Sequence, residues 1–138
     1  MSSILLHLNY LLILLVAVLG WFVGALWYSV LFGRLWMAEM KMTPDDFKTK
    51  GAGAPLFVKS FLLTIASTIA LAVLIVGLGR TDFLHGATLG AFVGVGLVAT
   101  RAATNAVYEF RTLRHYLVVT GHDVVLLTIQ GALLTHWH

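Results

Sequence analysis

The stretch "FLHGATLGAFVGVGLVATRAATNAVYEF", residues 83–110, starts as a membrane helix and then turns polar. Residues 83–100 are mainly apolar or small, after which Arg101, Asn105 and Glu109 follow at intervals of four. Residues four apart share one side of a helix. The polar stripe therefore extends the face of Gly86, Gly90 and Gly94. It must end either in water or against polar partners on a neighbouring helix.

Composition outside this stretch agrees with a membrane setting. Of the 138 residues, 59% are hydrophobic and 11% charged, whereas soluble domains carry about 25% charged residues. A spanning helix needs about 20 mainly apolar residues, and four segments supply them: 4–32, 56–79, 83–108 and 115–136. The expected fold is all-α, an integral membrane four-helix bundle forming a single domain over residues 1–138. At about 44 Å of helix, the first segment is too long for the hydrocarbon layer and has to tilt or project. It lacks a basic leader, and its apolar run exceeds the roughly 7–15 residues of a signal peptide, so it reads as a retained span. Cysteine is absent, which excludes disulfides and thiolate chemistry.

The pI is near 9.5, but the basic residues flank apolar segments instead of forming a patch. The expected partner is the lipid bilayer, with no nucleic acid. Arg34, Lys41, Lys48, Lys50 and Lys59 lie in or beside the first loop, and Arg101, Arg111 and Arg114 around the third; Arg80 alone lies on the other side. The positive-inside rule then puts the first and third loops in the cytoplasm and both termini outside. In the first loop, "GRLWMAEMKM" mixes Leu35, Trp36, Met37 and Met40 with charges, the pattern of a short interfacial helix. A second short helix follows, with Thr43 as N-cap, Pro44 at N1 and Asp45 and Asp46 in the first turn. Most of the tryptophans read as an aromatic belt, although Trp21 falls mid-span.

The fourth segment, "HYLVVTGHDVVLLTIQGALLTHW", places His122 and Asp123 inside the membrane, with Gln130 two turns on. A hairpin bend centred near residue 112 sets Arg101 level with Asp123, and Glu109 level with His115. Asp123 then lies about 16 Å deep, where an isolated charge costs about 2.5–3.5 kcal/mol. An intramembrane polar cluster of Arg101, Asn105, Glu109, His122 and Asp123 is expected, held by an Arg101–Asp123 ion pair. In the alternative, the third span ends near Thr104 and Arg101 snorkels to the interface, leaving Asp123 in need of another partner.

His7, His85, His136 and His138 all fall at the outer face with Asp82, a set that could bind a divalent metal; no other cofactor is expected. No HExxH, GxSxG, Walker or GxGxxG pattern occurs, which points away from an enzyme.

"GALWYSVLFGRLWM" (24–37) resembles a signature of the bacterial membrane family called domain of unknown function 1761. That signature has a Gly-x-x-Trp-Tyr-Ser segment followed by Phe-Gly-x-x-Trp. "TNAVYEFRTLRHYLV" is similar to the same family's third-to-fourth-span region, with Asn105 and Glu109 in matching places. The resemblance covers nearly the whole chain and singles out Trp27, Tyr28, Phe32, Gly33 and Trp36 without giving them a role. Val30 departs from the proline of the pattern. The family implies a small four-helix protein of the bacterial cytoplasmic membrane and no assigned activity.

Two functional classes compete. The first is a non-enzymatic module acting through oligomerisation, with Gly20 and Gly24 or Gly86, Gly90 and Gly94 as packing stripes, or through a protein or lipid partner. The second is a small oligomeric transporter or channel that uses the Arg/Asn/His/Asp cluster. A third, a membrane enzyme, rests on a resemblance of Arg101, Asn105 and Glu109 to the glutathione site of membrane-associated eicosanoid and glutathione enzymes. The spacing differs there, with three residues between Asn and Glu instead of two.

Overall fold

The computed structural model describes residues 1–51, 53–79 and 82–136. Seven helices follow in order: α1 (Ser2–Leu6), α2 (Tyr10–Leu31), α3 (Gly33–Glu39), α4 (Pro44–Thr49), α5 (Ala54–Gly77), α6 (Phe83–Tyr108) and α7 (Leu113–Leu134). No strand occurs among the described residues. Of these helices α2, α5, α6 and α7 are long and apolar enough to cross a membrane, so the fold is the expected four-helix membrane bundle.

The first apolar segment does not run unbroken from residue 4. Asn9 caps a new helix, its side chain accepting from the Leu12 N–H at 3.0 Å. A local side-chain acceptor competes with continuation of the preceding turn. This leaves α1 as a separate piece against the end of α5, with Ile4 packed over Gly77. The remaining 22 residues of α2 make about 33 Å of helix, close to the hydrocarbon thickness, with no excess length left to accommodate.

The first loop folds as two short helices. Thr43 and Asp46 form a reciprocal capping box at the start of α4, with bonds of 2.9 and 3.1 Å. The Asp46 carboxyl is held below its ordinary value, first by the Thr43 backbone N–H and then by the Thr43 hydroxyl. Trp36 of α3 meets Phe47 of α4 edge-on at 6.0 Å. The loop ties to the α6–α7 turn through Thr112 donating to Glu39.

The bundle is built around α7, which buries Leu126, Leu127, Gln130 and Leu134. Its closest neighbour is α6, because Gly86, Gly90 and Gly94 let backbone meet backbone: a Cβ on Gly94 would lie 3.0 Å from the Val124 Cα. One on Gly90 would overlap the Leu127 carbonyl oxygen, and one on Gly86 that of Gly131. These contacts fix the hairpin register, which differs from the one expected. Gly90 lies opposite Leu127 and Gly94 opposite Val124, so Arg101 is level with Tyr116 and Leu117. Asp123 lies about 9 Å deeper. The bend is a four-residue loop, 109–112, and α6 overhangs the start of α7 by about one turn.

Candidate functional site

His122 and Asp123 begin the site. They stand ten residues into α7, about 15 Å along it. A carboxylate only accepts hydrogen bonds, so the 3.0 Å contact between His122 Nδ1 and Asp123 Oδ1 makes Nδ1 the donor. In the neutral ring Nε2 is then an acceptor, and it is buried without a hydrogen-bond partner among the described residues.

The wall around this imidazole comes from the end of α2. Gly24 faces it, and a Cβ there would stand 3.1 Å from Nε2. The Tyr28 ring lies 5.1 Å from the imidazole, centroid to centroid, and the Trp27 ring 6.1 Å. Trp27 is fixed by its Nε1–H, which donates to the Val118 carbonyl at 2.9 Å, and it rests on Gly121. Residues Trp27–Leu31 form a π-helical turn closed by Phe32 N–H donating to the Trp27 carbonyl at 2.8 Å. Such i→i+5 turns often mark functional sites; here it brings two successive aromatics onto one histidine. Gly33 is required small, since a Cβ would come 2.8 Å from the Tyr28 carbonyl oxygen. Phe32 packs on Trp27 at 4.7 Å and Trp36 on Tyr28 at 5.8 Å. Every residue of the 24–36 motif singled out above thus belongs to one aromatic wall over His122.

Asp123 points the other way. It opens into a cleft of about 340 Å³ between α5 and α6, with α7 as its floor. Ser67, Leu71, Leu74, Val93, Val98 and Leu126 line the cleft, and among the described residues Asp123 is the one ionisable side chain on its walls. Val98 belongs to a second π-helical stretch, Gly94–Ala99, so an irregular turn flanks the His–Asp pair on each side. The Asp123 side chain is 35% exposed, against 13% for His122.

The expected cluster is divided. His122 and Asp123 come together, whereas Arg101 is exposed and does not reach Asp123. The Arg101–Asp123 ion pair is therefore corrected to a His122–Asp123 pair, the cause being the hairpin register. Asn105 shares the exposed face of Arg101, and Glu109 pairs in the loop with Arg111 at 3.3 Å. Of the outer histidines, His85 contacts Asp82 at 3.2 Å, His136 packs on Phe83 and His7 bonds to the Ser3 carbonyl. His138 lies outside the described residues. No three metal-ligating side chains converge among the described residues.

Two contacts escaped the sequence reading. Gln130 Nε2 donates to the Thr68 hydroxyl at 2.9 Å in the bundle centre, and Trp21 Nε1 donates to Ser60 at 3.1 Å. Gln130 also sits over Gly20, as His122 sits over Gly24. A signal for this did exist: Gly20 and Gly24 share one face of their span, and His122 and Gln130 share one face of theirs, since separations of four and eight residues both keep to one side of a helix.

No curated protein and no solved structure matches the chain. Residues 11–135 match the family described as "Protein of unknown function (DUF1761)", a span that takes in the aromatic wall, both π-helical turns and the His–Asp pair, and the chain belongs to that family.

Proposed function

We propose that the chain is a non-enzymatic membrane module that binds a partner from within the bilayer, through the cleft between α5 and α6. One observation carries the reading: at mid-depth Asp123 keeps 35% of its side chain exposed in a cleft with otherwise nearly apolar walls. A charge held there costs about 2.5–3.5 kcal/mol even on the lenient insertion scale. A carboxylate serving packing alone would be covered, as Gly24 and the aromatic wall cover His122. The glycine stripes support the same reading, because α7 occupies those of both α2 and α6. Recognition then falls to the cleft instead of a GxxxG dimer face. In this proposal the protein sits in the bacterial cytoplasmic membrane with its first and third loops inside, which the basic-residue bias and the family resemblance support.

The second reading is a small transporter or channel in which the His122–Asp123 contact passes protons. One experiment separates the two. With no native cysteine, a nitroxide on Val98→Cys reports the cleft alone. A bilayer-facing binding cleft exposes it to molecular oxygen, which concentrates in lipid, and excludes a water-soluble nickel chelate. Nickel access matching that of a loop label at Lys48→Cys would overturn the binding reading in favour of a hydrated path.

A further inference from the structure

Resting on that reading, we propose that the cleft selects a lipophilic amine: a molecule with a compact hydrocarbon body and one ammonium group that meets the Asp123 carboxylate. The argument is charge complementarity inside an aliphatic pocket. Asp123 lines the cleft, and with Oδ1 accepting from His122 Nδ1 its Oδ2 has no hydrogen-bond partner among the described residues. The neighbouring cation that the sequence suggested, Arg101, sits about 9 Å nearer the loop along the α6–α7 hairpin, exposed, while Asp123 pairs with His122. The bundle therefore supplies a negative group at mid-depth and withholds its own arginine from it. Ser67 adds no competing charge, its hydroxyl donating to the Thr64 carbonyl at 2.9 Å.

The walls and the size narrow the ligand. Leu71, Leu74, Val93, Val98 and Leu126 offer branched aliphatic contact, suited to alkyl chains. The volume of about 340 Å³ is at the small end of ligand pockets. It falls short of a crossing helix, which is about 10 Å across and would need a groove along its whole length. A neutral lipophile would fill the same space but leave the carboxylate unmatched. An ammonium makes a charge-assisted bond to it, about twice as strong as a neutral one.

The test uses the full chain in phosphatidylcholine nanodiscs, titrated with decylamine and, in parallel, with decanol at matched bilayer concentration. Two signals are read: the carboxyl carbon resonance of Asp123 and the thermal midpoint. Decylamine is expected to shift the resonance saturably and raise the midpoint by several degrees, and decanol to do neither. Asp123→Asn should remove the amine's effect on the midpoint, and Asp123→Glu should keep it. Leu71→Trp, which fills the cleft and spares the carboxylate, should block binding even if Asp123→Asn folds poorly. Equal responses to decanol and decylamine would overturn the amine assignment. So would no response to either, or a Leu71→Trp variant that binds as the parent does. The nitroxide measurement on Val98→Cys is independent of all three, so failure of the ligand class and failure of the cleft reading are separable.

Discussion

Thr68 and Gln130 are 0% and 1% exposed, the most completely enclosed polar pair in the bundle. The Thr68 hydroxyl accepts from the Gln130 amide and itself donates to the Thr64 carbonyl at 2.7 Å. Thr68→Val removes the acceptor and leaves a buried N–H unpaired. Interhelical hydrogen bonds in bilayers average about 0.6 kcal/mol with a maximum near 1.7, and an orphaned donor belongs at the upper end. Thr68→Val is expected to cost about 1–2 kcal/mol in reversible unfolding from micelles, and Thr68→Val/Gln130→Met to recover most of it. A double variant as weak as the single one would show that the loss is packing and not the orphaned amide. At this scale the sequence named the polar residues but not their partners. Arg101, His122 and Asp123 stood out because charge in an apolar run is conspicuous. Which of them meet depends on a few residues of hairpin register, and no residue type records that.

Two elements carry the packing, and glycine sets both distances. A side chain at Gly90 would run into the Leu127 backbone, whereas Gly96, two residues beyond Gly94 on the same helix, has open space around it. Gly90→Leu should force α6 and α7 apart and cost 3 kcal/mol or more (roughly), beyond the ~1–3 of ordinary overpacking, because backbone cannot yield as a side chain can. Gly96→Ala should be neutral or stabilise by up to about 1 kcal/mol through helix propensity. Thermal unfolding of the two variants beside the parent checks both, and equal losses would mean the small-residue face is not what holds the hairpin. In α4, Asp46 titrates below its ordinary value of 3.8 in the folded chain. Its capping contribution is therefore fully present above that value and is lost as pH falls through the lower, folded one. Amide exchange at Lys48–Lys50 should speed up in that acid window, and Asp46→Ala should exchange fast at every pH. Thr43, Pro44 and Asp46 made this cap legible in advance, since capping is local and needs only neighbours in the chain. The π-helical turns at Trp27–Leu31 and Gly94–Ala99 were not legible. Each inserts a residue to suit contacts with α7, and those contacts are made by residues distant in sequence.

For the whole molecule the open quantity is sidedness. Eight of the nine Lys and Arg residues lie in or beside the first and third loops, and α3 is bonded to the α6–α7 turn through Thr112 and Glu39. These two loops should behave as one face. Lys48→Cys and Arg111→Cys should react with a membrane-impermeant maleimide only in inverted vesicles, and His7→Cys only in spheroplasts. Labelling of Lys48→Cys and Arg111→Cys from opposite sides would break the topology. Hydropathy by itself determined that the chain is a bundle of four spans and roughly where its loops fall, because transfer into lipid is a sum over residues. Only the tertiary structure decided that Asp123 faces a cleft beside His122 while Arg101 stays outside. That choice rests on how closely Gly86, Gly90 and Gly94 let one backbone approach another, and the fit of two surfaces is a property of neither strand of sequence alone.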